Sequence, residues 1–133
     1  MLSASQCVQA IKDLYRSSGR VKALLTAIGG GDDGDQATHL DNLLHNLDCR
    51  PCGNSKGEGN ARAFIVDNPV NIVLCTNRLT VDDLEEVLVH EMTHAYDYKF
   101  GHYDLTTCEG LAASEVRAAR EAVSLTHAIV IYI

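Results

Sequence analysis

Val8, Ile11, Leu14 and Tyr15 recur at the interval of one helix face, with polar residues between them and Ser3 or Ser5 available as an N-cap. The pattern predicts an amphipathic first helix. A break at Gly19 precedes a second helical stretch, "RVKALLTAI", residues 20–28. Periodicity then stops at "GGGDDGDQ", residues 29–36, a run that predicts a solvated loop and lacks the Asp-x-Asp-x-Asp-Gly order of a calcium-binding EF-hand. "ATHLDNLLHNLD", residues 37–48, resumes helical spacing; its His39 and His45 receive no role. Pro51, Gly53, Asn54, Gly57 and Gly59 make the next stretch a succession of turns.

Two β-rich runs follow, "ARAFIV" and "VNIVLC", separated by "DNP", and read as a strand pair or hairpin. Thr80 and Asp83 form a capping-box pattern that opens a long helix ending near Gly101. Another helix starts at Thr106 or Thr107 and runs through "CEGLAASEVRAAREAVSL", leaving residues 126–133 as a β-prone, unplaced tail. The order predicts an α+β fold, mostly helical, with a small sheet before the long helix and one domain over residues 1–133.

Composition narrows the function classes. The 133 residues, 46% of them hydrophobic, suit one globular domain with a modest core. A formal net charge of −7 without a basic stripe argues against nucleic-acid binding. "AIVIYI" is far too short to cross a bilayer, so membrane association is expected to be peripheral. The first twenty residues lack the continuous apolar run of a secretory signal; they are Ser-rich with late basic residues, as in a mitochondrial address, but the amphipathic helix is the preferred reading. Five cysteines leave at least one unpaired if the others form disulfides.

The chemistry concentrates in "LEEVLVHEMTHAYDYKFG", residues 84–101. His90 and His94 lie about 40° apart on one helix face, one turn apart along the axis. Two imidazoles so placed can grip one Zn2+ ion, with Glu91 beside them to address a water. His94 falls about 20° from the line of Val87, so the histidines continue the apolar stripe of Leu84, Val87 and Leu88. A helix whose histidines merely bond ordinary acceptors is the plainer reading; a metal satisfies such groups better where they are buried.

A catalytic zinc commonly takes a third protein ligand, for which Asp97, His102, Asp104 and Glu115 are candidates. Glu115 is preferred. It is expected inside a small-residue face of Leu111, Ala112, Ala118, Ala119, Ala122 and Val123, with Arg117, Arg120 and Glu121 opposite, and it lies far enough past His94 for an antiparallel helix to return it. An ion pair with an arginine is the competing role for that carboxylate. Asp97 is the candidate for orienting a ligand imidazole through its free ring nitrogen.

Such a centre performs metal-assisted hydrolysis, with Glu91 as catalytic acid and base. Tyr96, His102, Tyr103 and Arg117 are candidate oxyanion donors. "NIVLC" is expected to offer an edge on which an extended peptide adds as a strand, making the substrate a protein or peptide and the reaction endopeptidase cleavage. The fold expectation sharpens to a zincin-like metalloprotease domain.

"VLVHEMTHAYD" followed by "ASEVRAA" resembles the mitochondrial inner-membrane zinc metalloprotease family that processes and assembles the membrane sector of ATP synthase. "CRPCGN", "IVLCTNRL" and "CVQAIKDLYRSSGRVKALLTAI" are similar to other parts of that family, so the resemblance runs from about Cys7 to Ala122. It implies His90 and His94 as zinc ligands and Glu91 as the catalytic group. It also implies ATP synthase membrane-sector subunits as partners and a peripheral place at the intermembrane-space side of the mitochondrial inner membrane. Cys49, Cys52 and Cys75 are implied to join oxidised pairs; a zinc knuckle built on Cys49 and Cys52, with Cys75 and Cys108, is the alternative. Two departures stand out: Ala113 occupies a position where the family usually has cysteine, and "EAVSLTHAIVIYI" replaces a further cysteine-containing segment. Besides a protease, the chain is compatible with a non-proteolytic assembly chaperone or an inactive zinc-binding module.

Overall fold

The computed structural model describes residues 2–29, 41, 44–53, 60–66, 71–101 and 103–122. Helix α1 (Ala4–Ser17) starts at Ser3. The Ser3 hydroxyl accepts the Gln6 N–H at 3.1 Å, and the Gln6 side chain accepts the Ser3 N–H at 2.9 Å. Cys7, Ile11 and Tyr15 repeat every four residues and are buried, as one face of an amphipathic helix requires. The chain breaks at Ser18, and Gly19 is the first residue of α2 (Gly19–Gly29). Val21 and Leu25 face the core.

Three short strands form one mixed sheet in the order β1-β3-β2. β1 (Leu47–Arg50) runs parallel to β3 (Asn71–Cys75), while β2 (Ala63–Val66) is antiparallel to β3. The expected strand pair is present and antiparallel, but β3 is the central strand. "NIVLC" is therefore no edge for a docking peptide, because both its sides are paired; among the described residues, the edge beside the long helix belongs to β2. β1 also corrects the expected helix over residues 37–48, of whose length Leu47 and Asp48 are strand. The Gly/Asp-rich loop beyond Gly29, His39, the "DNP" connection, His102 and the tail at 126–133 lie outside the described residues.

A 3-10 turn (Thr76–Arg78) leads from β3 into α3 (Val81–Phe100). The Asp83 carboxylate accepts both the Thr80 N–H at 3.3 Å and the Thr80 hydroxyl at 2.9 Å, and Gly101 ends the helix in the left-handed region at φ 67°. α3 is the spine of the molecule: it packs against α1, α2, β2, β3 and the last described helix, α4 (Cys108–Ala122). Leu84, Leu88 and Met92 are fully buried on it. Side chains of this kind each contribute roughly 1.5–3 kcal/mol when removed from water, so the apolar stripe fixes which helix face is turned inward.

Two disulfides tie the N-terminal part to the sheet: Cys7–Cys49 joins α1 to β1, and Cys52–Cys75 joins the segment after β1 to the end of β3. They leave no thiolates for a zinc knuckle at Cys49 and Cys52. Cys7, absent from the expected set, is a partner, and Cys108 is free and exposed. Among the described residues, no helix is long and apolar enough to cross a membrane.

Candidate metal centre

α3 carries His90, Glu91 and His94 at and just after the mid-point of its length, where it packs against α4. His94 is buried and His90 half-buried, so the histidines continue the apolar stripe only in part. The return from α3 is a tight loop in which the Asp104 carboxylate accepts the Thr106 N–H at 2.9 Å and the Asp104 carbonyl accepts the Thr107 hydroxyl at 2.9 Å. α4 then runs back along α3 and sets Glu115 over the two imidazoles. Its Oε1 lies 2.9 Å from His94 Nε2 and its Oε2 lies 3.5 Å from His90 Nε2. The two Nε2 atoms are 3.2 Å apart.

Among the described residues, His90, His94 and Glu115 are the group whose ligand atoms converge, all within 4.8 Å of one another. Their chemistry fits zinc. Two nitrogens bound at about 2.0–2.1 Å to one tetrahedral ion stand roughly 3.3 Å apart, close to the separation found here. Nitrogen and carboxylate donors of this number leave a fourth position open, the pattern of catalytic zinc.

The reason Glu115 arrives there differs from the one the sequence suggested. Its side chain is 53% exposed, and Leu111 and Ala112 are exposed as well, so no small-residue face embeds it. The buried line of α4 is Ser114 and Ala118. Arg117, expected on the opposite face, turns inward: its Nη1 stands 3.0 Å from Asp97 Oδ1, and its guanidinium lies 5.2 Å from the centre of the Tyr96 ring. Asp97, fully buried, does not join the ligand group. It reaches His94 through Ser114, whose hydroxyl donates to Asp97 Oδ2 at 2.8 Å and lies 2.8 Å from His94 Nδ1. Ser114 lies in the "ASEVRAA" motif that carries the family resemblance, but no local pattern gives it a role. The available clue was the burial of Asp97 on the helix wheel, which demanded a donor from a neighbouring element.

Glu91 points to the other side of the site, into an open groove of about 160 Å³. Ala61, Arg62 and Ala63 line one wall, and Glu86, Val87, His90 and Glu91 line the other. Burial pushes the Glu91 carboxyl up to about 7, and the neighbouring Glu115 carboxylate adds to the shift. Burial and the adjacent His94 hold the His90 imidazole below its ordinary value, against the opposing pull of Glu115 and Glu86. Without a cation, Glu91 and Glu115 repel; a divalent ion among the ligands would relieve that repulsion.

Comparison with known proteins points to a peptidase. The description of the Peptidase M76 family matches residues 5–127. The mitochondrial inner membrane protease ATP23 of Debaryomyces hansenii is 37% identical over 75 residues, 56% of this chain and 29% of that protein. The protein of the same name from Meyerozyma guilliermondii is 35% identical over 75 residues, 56% of this chain and 28% of that one. The Aspergillus oryzae protein of that name is 40% identical over 55 residues, covering 41% of this chain and 21% of its own. The chain spans less than a third of the length of these curated relatives. No solved structure matches it.

Proposed function

The chain belongs to the Peptidase M76 family, and from that premise we propose that it is a zinc-dependent endopeptidase with a zincin-like domain, acting on a protein at the mitochondrial inner membrane. The observation that carries the reading is the convergence of His90, His94 and Glu115 on one point, with Glu91 beside it facing a groove. The three converging residues would hold the ion. When bound, zinc supplies Lewis acidity that polarises the scissile carbonyl and makes water easier to deprotonate. Glu91 takes the proton from the attacking water and returns it to the leaving amine.

The groove suits an extended substrate. Cys75 N–H bonds Arg62 C=O at 2.9 Å, which makes Arg62–Cys75 a hydrogen-bonded pair of the antiparallel ladder. Alternation then turns the N–H and C=O groups of Ala63 and Ile65 away from β3, towards the open edge. A peptide added as a strand to that edge would run along the wall opposite Glu91. Arg78, bonded to the carbonyls of Ala61 at 2.8 Å and Gly53 at 3.0 Å, holds this wall in place.

The relatives' names support a protease of the mitochondrial inner membrane. By the family resemblance alone, the substrate would be a mitochondrial precursor, the position peripheral on the intermembrane-space side, and the partners ATP synthase membrane-sector subunits whose assembly the chain would assist. The decisive test is zinc at one equivalent per chain, loss of peptide-bond cleavage on chelation, and recovery when zinc is restored. Cleavage that survives Glu91→Gln defeats the proteolytic mechanism. Loss of cleavage with intact assembly of the membrane sector separates a chaperone role from the protease.

A further inference from the structure

We propose that Ser114, backed by Asp97 and Arg117, is a positioning residue for the metal centre. It locks His94 as the Nδ1–H tautomer and aims the bare Nε2 at the point shared with His90 and Glu115. The proposal rests on the zinc reading above and assigns a task to three residues which that reading leaves unused.

Proton counting carries the argument. Ser114 has one hydroxyl proton, and its oxygen lies 2.8 Å from Asp97 Oδ2 and 2.8 Å from His94 Nδ1. An ionised carboxylate only accepts, so the hydroxyl proton goes to Asp97. What remains on Ser114 Oγ can only accept, and the contact with His94 therefore needs a proton on Nδ1. A neutral imidazole carries one ring proton, which leaves Nε2 as a lone pair. That lone pair faces Glu115 Oε1 at 2.9 Å and His90 Nε2 at 3.2 Å, a cluster of ligand atoms suited to a cation.

Arg117 sets a positive charge against the fully buried Asp97 carboxylate, with Nη1 3.0 Å from the other carboxylate oxygen and its guanidinium over the Tyr96 ring. The carboxylate thus has one hydrogen bond, at Oδ2, and an ion pair without a hydrogen bond at Oδ1; with neither it would be strongly destabilising. Ser114 and Asp97 are both fully buried, so water does not compete for these bonds. Three residues within one turn of α4 thus supply a ligand in Glu115, the support for a second ligand in Ser114, and the counter-ion of Asp97 in Arg117. This explains why α4 must dock in one register: a rotation that misplaces Ser114 also misplaces Glu115.

The test compares zinc affinity, by chelator competition, in the wild-type, Ser114→Ala and Ser114→Thr chains, with far-UV circular dichroism to establish folding. Ser114→Ala is expected to bind zinc roughly 10–100-fold more weakly, the usual cost of losing a hydrogen bond behind a ligand imidazole. Ser114→Thr, which keeps the hydroxyl, is expected to recover most of it; a purely steric role would be made worse by the added methyl. Nitrogen-15 NMR of the metal-free wild-type chain, above the imidazole titration range, is expected to show His94 protonated at Nδ1. A proton on Nε2 there overturns the proposal and needs no variant to fold. Equal zinc affinity in folded Ser114→Ala overturns it too, while the zinc reading survives. A wild-type chain that binds no zinc defeats the metal reading instead.

Discussion

Glu91 shows how one carboxyl links the site to the stability of the protein. Its pKa in the folded, metal-free chain is about 7 against an ordinary 4.5. The fold therefore binds the proton more tightly than the unfolded chain does. The associated stability is fully present below about 4.5 and is lost as pH rises through about 7. A gap of this size corresponds to about 3 kcal/mol at most, less where water reaches the carboxyl. Urea unfolding of the metal-free protein between pH 5 and pH 8 should show wild type losing stability relative to Glu91→Gln. Parallel pH profiles would contradict the burial argument. Glu115 makes a separate prediction. Glu115→Gln should weaken zinc binding while leaving the fold unchanged, since the side chain is half exposed; His94→Ala should abolish stoichiometric zinc. Undiminished affinity in Glu115→Gln would remove it from the ligand set. His90, Glu91 and His94 were legible in the sequence because their relation is set by helix periodicity within one turn. Glu115 was named on an expected burial that the structure corrects, and Ser114 was not named at all. Its role depends on what α3 places opposite it, which no local pattern records.

At the scale of elements, the site depends on how closely α4 can begin beside the loop that feeds it. A Cβ on Gly110 would stand 2.0 Å from the Asp104 carbonyl oxygen and 2.9 Å from the Asp104 nitrogen. Both are backbone atoms of a loop already pinned by Thr106 and Thr107, so neither can step aside cheaply. Alanine ordinarily gains about 1 kcal/mol over glycine within a helix. Here the clash reverses the sign, and Gly110→Ala is expected to destabilise by about 1–3 kcal/mol as overpacking does. Differential scanning calorimetry would reveal it; a raised melting temperature would refute the close approach. β2 carries a complementary prediction. Ala63→Pro deletes an outward N–H and leaves the β2–β3 ladder bonds intact. Peptide cleavage should therefore fall with zinc content retained. Unchanged cleavage would argue against strand addition at this edge. β2 and β3 were readable from their β-branched runs. β1 was not, because its four residues sit against Pro51 and look like a helix end. It becomes a strand by pairing with β3, more than twenty residues away, and by the bond from Cys49 to Cys7.

The whole molecule is held at two ends by different means, with α3 common to both. Cys7–Cys49 and Cys52–Cys75 cross-link α1 and the sheet over sequence separations of 42 and 23, whereas the proposed metal ligands join α3 to α4. Chain-entropy arguments give about 4 kcal/mol for the first disulfide and about 3 kcal/mol for the second. Domains of this size have only about 5–15 kcal/mol in total. Removing either bond therefore takes a large share of the stability without touching a ligand. The two losses should differ in function. Replacing Cys7 and Cys49 by alanine frees α1, which lies away from the groove, so the folded protein should keep its zinc affinity and cleavage. Excess zinc should restore part of the lost stability by mass action, about 2.7 kcal/mol at one hundred times the dissociation constant. Replacing Cys52 and Cys75 loosens the segment that Asn77 clamps at the Cys52 N–H and C=O, both at 2.9 Å, next to the Arg78 contacts with Ala61 and Gly53. That wall faces Glu91, so the second double variant should show a raised KM with zinc affinity unchanged. Denaturation with and without zinc, read beside peptide kinetics, separates these cases. Equal kinetic effects from the two pairs would mean that the disulfides act on the site through global stability alone, and the assignment of the Cys52–Cys75 segment as a substrate wall would fail.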